Sequence, residues 1–234
     1  MGAVLISAHS GGAERARPGS LAAYQAAVAA GVDYAELDVR RTRNGVLVAQ
    51  HSAPGSGDQV LPAGEVMRVL ACGGVRGHVD LKETGPGFER AAVELALDAF
   101  GPAFGPDGLV VTTADPGSVA RISASFPGVP VGLSAGLGLR QILASAARLR
   151  WPVPFPYAAV RASGAEWVAM SYRYARPDVL DLCTGAGLRV MVWTVNDDRL
   201  LDRFLGDPRV GILVTDRPEH AVRRRAGNGE VPGR

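Results

Sequence analysis

The sequence predicts an α/β protein, a (β/α)₈ TIM barrel in a single domain, on three observations. Eight short runs rich in Val, Ile and Leu recur along the chain with helical segments between them, the pattern of parallel strands joined by crossover helices. That many strands in 234 residues suits a closed barrel better than an open doubly wound sheet. The Gly-rich phosphate fingerprint of a dinucleotide fold is also missing after the first strand, which leads instead into Ser10-Gly11-Gly12.

The elements follow in order. Ala3 to Ala8 is a β-run ending at His9, and Pro18 to Ala30 reads as a helix with Ser20 available as its cap and Gly31 as its stop. Tyr34 to Val39 is a buried strand; an Asn44-Gly45 turn and a short strand, Val46 to Gln50, then deliver His51. A helix over Gly64 to Cys72 precedes the strand His78 to Lys82. The remaining strands are Leu109 to Thr113, Val129 to Leu133, Trp167 to Ser171, Arg189 to Val195 and Val210 to Thr215. Helices are expected near Pro86 to Ala99, Pro116 to Ser125, Leu139 to Leu149, Pro177 to Ala186 and Asp197 to Leu205. Residues 1–222 make the barrel, and the Gly- and Arg-rich stretch 223–234 reads as a disordered basic tail.

Composition narrows the class. A net charge of +2 from 25 basic and 23 acidic residues gives no field for nucleic-acid binding. No apolar run reaches the length of a membrane span, and no basic leader precedes the first strand, so a cytoplasmic protein is expected. Cys72 and Cys183 lack zinc-ligand spacing and read as reduced, buried thiols. Oligomeric state is not legible.

Candidate chemistry gathers where strands end at the C-terminal face, the functional end of such barrels. Glu36 and Asp38, two residues apart on one strand, project to the same side about 7 Å apart. Asp80 and Lys82 repeat that spacing on the next barrel strand. Like charges held so close call for a cation between them, and three carboxylates form an oxygen cage for one hard divalent ion, Mg²⁺ or Ca²⁺. Lys82 is the single lysine among 25 basic residues; a compact ammonium aimed at one phosphoryl oxygen is a place where arginine's planar fork does not fit. His9 and His51 reach the same mouth from two loops and make an acid and base pair. Trp193 and Asn196 lie at the seventh strand and Asp216 follows the eighth. His78, two residues before Asp80, reads as a hydrogen-bonded residue at a strand entry, with a further ligand or a proton relay as alternatives. His220 reads as surface, and the segment from Trp151 to Tyr157 as an apolar loop that either covers the mouth or bridges two helices. The set points to cleavage of a phosphodiester.

With these residues assembled, the chain resembles the glycerophosphodiester phosphodiesterases from His9 to Pro218. The matching pieces are His9 itself, GVDYAELDVRRTRNGVLVAQH, VDLK at Val79 to Lys82, VMVWTVND at Val190 to Asp197 and ILVTDRP at Ile212 to Pro218. The resemblance implies one divalent ion on Glu36, Asp38 and Asp80, catalysis by His9 and His51, Lys82 on the phosphate, and Trp193 lining the substrate cleft, although a strand tryptophan also serves core packing. The expected partner is a small or lipid-derived phosphodiester.

The chain also departs from that family. Ser10 stands where an arginine usually follows the first histidine, and Arg17-Pro18-Gly19-Ser20 replaces PENT, so that Arg17 restores positive charge from another backbone position. Asp80 is one methylene shorter than the usual Glu, and the insertion after the second histidine is reduced to Ser52 to Gly77. Two alternatives stay open: a phosphodiester lyase similar to the sphingomyelinase D type, giving a cyclic phosphate, and a non-hydrolytic barrel that binds a phosphorylated ligand in a biosynthetic pathway.

Overall fold

The structure, a computed structural model, describes residues 3–55, 60–136 and 155–229. Its strands are β1 (Leu5–Ala8), β2 (Tyr34–Arg41), β3 (Leu47–Ala49), β4 (Arg76–Leu81), β5 (Leu109–Thr113), β6 (Val131–Ala135), β7 (Trp167–Ser171), β8 (Arg189–Trp193) and β9 (Val210–Thr215). The α-helices among the described residues are α1 (Leu21–Ala29), α2 (Ala63–Cys72), α3 (Pro86–Phe104), α4 (Pro116–Ser125), α5 (Tyr157–Ser163), α6 (Pro177–Gly185), α7 (Asp198–Leu205) and α8 (Pro218–Gly229).

Parallel pairing runs β1-β9-β8-β7-β6-β5-β4-β2 and returns through a β1–β2 pairing, which closes an eight-stranded barrel. The ninth strand, β3, pairs antiparallel with β2 outside that ring. The expected (β/α)₈ barrel is therefore the fold.

Alternation along each strand separates two apolar layers. Ala35, Leu37 and Val39 on β2, Val79 and Leu81 on β4, and Val168 and Met170 on β7 join the large core shared with the helices. Their alternates Tyr34, Val110, Trp167, Met191 and Val214 form a second cluster inside the barrel. Trp167 plugs it, buried to 1 % exposure. Gly211 makes room: a Cβ there would lie 3.0 Å from two atoms of the Trp167 ring. The Arg189 guanidinium covers that ring at 4.0 Å from its centroid.

The register determines what stands above this plug. Asp38 is paired with Asp80 across β2–β4, and Asp80 with Thr112 across β4–β5. Glu36, Asp38, His78, Asp80 and Thr112 thus share the inner face and are all buried. A 3₁₀ turn, His9–Gly11, follows β1. The Ser20 hydroxyl caps α1 by accepting from the Ala23 amide at 3.3 Å, so the helix begins after Pro18 rather than at it.

Several local expectations are corrected. β6 starts at Val131 because Pro130 contributes only its carbonyl, which the Val111 amide takes at 2.9 Å. α5 begins at Tyr157, the last residue of the segment expected as a loop, and covers a stretch given no element, its pattern hidden by the prolines before it. Cys72 is exposed at the end of α2, while Cys183 is buried and both are free. The expected disordered tail from residue 223 is instead helical through Gly229. Its arginines have partners: Arg223 with Glu219 at 2.7 Å, Arg224 with Asp202 at 2.5 Å, and Arg225 with Asp33. The expected helix from Leu139 to Leu149, Trp151 and residues 230–234 lie outside the described residues. No helix among the described residues is long and apolar enough to cross a membrane.

Candidate active site

Three acidic side chains converge at the barrel mouth. One oxygen each from Glu36, Asp38 and Asp80 lies within 4.8 Å of the others. Lys82, the residue after β4, sets its ammonium 2.9 Å from Asp38 Oδ1 and against Asp80 Oδ2. Three carboxylates and one ammonium leave a formal charge of −2, which one divalent cation neutralises. The donor set fits such an ion: all oxygens, all buried, with Glu36 Oε2 a buried oxygen that accepts no hydrogen bond. Burial, above all, raises the Glu36 carboxyl well above the carboxylate range, and the charges of Asp80 and Asp38 add to it, while His9 and Lys82 pull the other way. For Asp38 burial is outweighed by the Lys82 ammonium and the His51 hydrogen bond, and its carboxyl falls below the usual range. Burial also opposes the charge on Lys82, yet Asp80 and Asp38 raise it above the normal lysine value.

The two histidines flank this cluster, each anchored through Nδ1. His51 Nδ1 is 2.7 Å from Asp38 Oδ2, and its backbone carbonyl accepts from Arg40 Nε at 2.8 Å. Arg40 reaches the Lys82 carbonyl as well, at 3.3 Å, so one guanidinium ties together the loops after β3 and β4. The Asn44-Gly45 turn sets this up, with Gly45 at φ 85° and the Gln50 amide donating to the Asp38 carbonyl at 2.8 Å. His9 Nδ1 bonds Asp216 Oδ1 at 2.6 Å, and His9 Nε2 faces Glu36 Oε2 at 3.9 Å. Burial would lower the His9 pKa, but the Asp216 hydrogen bond and the charges of Glu36, Asp216 and Asp38 raise it to about 9.

A cleft of about 1090 Å³ is lined by His9, Ser10, Arg17, Tyr24, Asp38 and His51, among others. Ser10 holds a left-handed conformation, φ 47°, unusual for a residue with a Cβ. Its carbonyl accepts from the Gly19 amide at 2.7 Å, which folds the Arg17-bearing loop against the His9 turn. Trp193 is not among that cleft's lining residues; it packs against the inner apolar cluster, and a Cβ on Gly136 would lie 3.1 Å from its ring.

The structure thus gathers His9, His51, Glu36, Asp38, Asp80 and Lys82 in one mouth and puts Arg17 on the cleft wall. Sequence had placed Asp216 at this end without a role. Thr112 went unnamed because its part depends on β4–β5 register. His220, read as surface, bonds Asp198 through Nε2 at 3.1 Å.

Fold and site define a class: a closed parallel barrel whose C-terminal strand ends carry a carboxylate cage between two carboxylate-anchored imidazoles. The sequence model of the Glycerophosphoryl diester phosphodiesterase family matches residues 9–66, the stretch holding His9, Glu36, Asp38 and His51. The resemblance read from the sequence is borne out over that stretch. Likeness of fold extends over nearly the whole chain. A glycerophosphodiester phosphodiesterase from Parabacteroides distasonis is 17% identical with a TM-score of 0.73, over 97% of this chain and 98% of its own. One from Thermotoga maritima is 18% identical with a TM-score of 0.70, over 96% and 100%. An Oleispira antarctica phosphodiesterase in complex with the product sn-glycerol-3-phosphate is 16% identical with a TM-score of 0.71, over 96% and 97%. No curated protein matches the chain.

Proposed function

We propose that the chain is a metal-dependent phosphodiesterase acting on a glycerophosphodiester or a related small or lipid-derived phosphodiester, by acid and base catalysis from His9 and His51. The observation that carries this is the convergence of three buried carboxylates with two histidines, each held through Nδ1 by a carboxylate. Because Nδ1 is engaged, Nε2 of each ring is the atom left to exchange protons: one ring takes the proton of the attacking oxygen, the other returns one to the leaving alkoxide. A Mg²⁺ or Ca²⁺ ion held by Glu36, Asp38 and Asp80 supplies Lewis-acid polarisation of a phosphoryl oxygen. Lys82 and Arg17 contribute positive charge for the phosphate, Arg17 from the wall where Ser10 replaces the family's arginine. The glycerol phosphate product held by the Oleispira antarctica phosphodiesterase supports the substrate class.

The test follows release of glycerol 3-phosphate or a cyclic phosphate from simple glycerophosphodiesters with Mg²⁺ or Ca²⁺, using chelator as control. Multiple turnover that falls about 10²–10⁴-fold in His51→Ala is expected. Equal background rates in wild type and variant remove the catalytic reading, and saturable binding without turnover selects the non-hydrolytic barrel.

A further inference from the structure

Behind the third carboxylate runs a chain of buried polar groups that the proposed chemistry leaves unused. Thr112 on β5 donates its hydroxyl to Asp80 Oδ1 at 2.6 Å. His78 Nε2 lies 3.1 Å from the same Thr112 oxygen, and His78 Nδ1 lies 3.3 Å from the Ser7 hydroxyl on β1. Exposure is 0 % for Ser7, 2 % for His78, 1 % for Thr112 and 8 % for Asp80. The direction of the chain follows from donor count. A threonine hydroxyl has one proton, and here it goes to Asp80, so the Thr112 oxygen must accept from His78 and the ring proton sits on Nε2. Nδ1 is then the acceptor for Ser7. Every member is satisfied with His78 neutral.

We infer that Ser7, His78 and Thr112 are positioning residues that aim the Asp80 carboxylate at the Glu36 and Asp38 oxygens. Asp80 is short, so its reach depends on its rotamer; Thr112 holds Oδ1 from the barrel interior and leaves Oδ2 to Lys82, whose ammonium also meets Asp38. The ring of His78 spans from β1 to β5 and fixes Thr112 in turn. Outer hydrogen bonds of this kind set ligand orientation and metal affinity. The inference rests on the cation reading proposed above.

The experiment uses the full chain stripped of metal and Mn²⁺ as probe, with free ion followed by electron paramagnetic resonance. Thr112→Val should weaken Mn²⁺ binding about 10–100-fold, and Thr112→Ser, which keeps the hydroxyl, should restore it. Apo melting curves check that both variants are folded. Equal Mn²⁺ affinity in wild type and Thr112→Val overturns the positioning role while leaving the cation site standing. A wild-type chain that takes up no Mn²⁺ overturns the cation reading itself and this role with it. Should Thr112→Val fail to fold, the ¹⁵N spectrum of His78 in wild type decides: a proton on Nε2 is expected, and one on Nδ1 alone breaks the chain at its centre.

Discussion

Replacing Asp216 by Asn tests how His9 is held. Asp216 Oδ2 accepts from Asn196 Nδ2 at 2.6 Å, and the Asp216 amide donates to Asn196 Oδ1 at 2.9 Å, which leaves Oδ1 for His9 Nδ1 at 2.6 Å. In Asp216→Asn the new side-chain carbonyl must take the position facing Asn196 Nδ2, so its NH₂ faces His9. His9 Nδ1 then has to accept, the ring proton moves to Nε2, and the imidazole loses its ability to take up a proton there. The negative charge and hydrogen bond that raise His9 to about 9 disappear as well. A catalytic histidine locked in the wrong tautomer costs about 10²–10⁴-fold in kcat, or about 3–5 kcal/mol of barrier. Mn²⁺ affinity should stay close to that of wild type, because Asp216 is not one of the three clustered carboxylates. Steady-state phosphodiester turnover beside a Mn²⁺ titration separates the two quantities. A variant whose kcat stays within about threefold of wild type, where a catalytic histidine in the wrong tautomer should cost far more, refutes the coupling between Asp216 and His9.

Three further perturbations have defined outcomes. Lys82→Met removes the ammonium from between Asp38 and Asp80 and should destabilise the metal-free chain by about 3 kcal/mol, with a larger melting-temperature gain on adding Mn²⁺ than wild type shows; equal gains would contradict it. Glu89 is buried and bonded by Arg121 at 2.6 and 2.8 Å and by Ser118, and chiefly the Arg121 hydrogen bonds lower its pKa from 4.5 to about 2. A depressed folded pKa gives stability that is fully present above the unfolded value and lost as pH falls through the folded one. Urea unfolding should therefore show the wild-type advantage over Glu89→Gln, about 2 kcal/mol after allowing for the partly exposed Arg121, shrinking between 4.5 and about 2; a gap constant with pH would refute it. Trp167→Ala empties the plug of the barrel and should cost about 3–5 kcal/mol in urea unfolding, whereas a loss below about 1 kcal/mol, small for a buried aromatic, would show that the ring does not fill the interior.

The parts of the site legible in the sequence are those that obey strand periodicity. Glu36 and Asp38 share a face because side chains alternate, and Asp80 and Lys82 repeat the spacing, so the cage could be read without knowing register. His51 followed from a two-residue Asn-Gly turn. Register and closure supply the rest. Thr112 faces Asp80 only because β4 pairs with β5 in one register, and the partner of His9 is 207 positions away, brought near when β9 closes on β1. The two strand tryptophans show the limit plainly: alternation turns both Trp193 and Trp167 inward, and only the packed structure shows which of them fills the barrel, Trp167 being fully buried and Trp193 half-buried. At the C-terminus, glycines and arginines suggested disorder, but Glu219 one turn earlier in the same helix, Asp202 on α7 and Asp33 just before β2 pair with those arginines and hold the helix.

The shared cation is tested most directly by titrating Mn²⁺ into the metal-stripped chain while phosphodiester turnover is measured on the same samples. The structure predicts one ion per chain, turnover that rises with ion occupancy, and loss of both in Glu36→Gln. Full turnover in stripped protein, or undiminished ion uptake by Glu36→Gln, would contradict it.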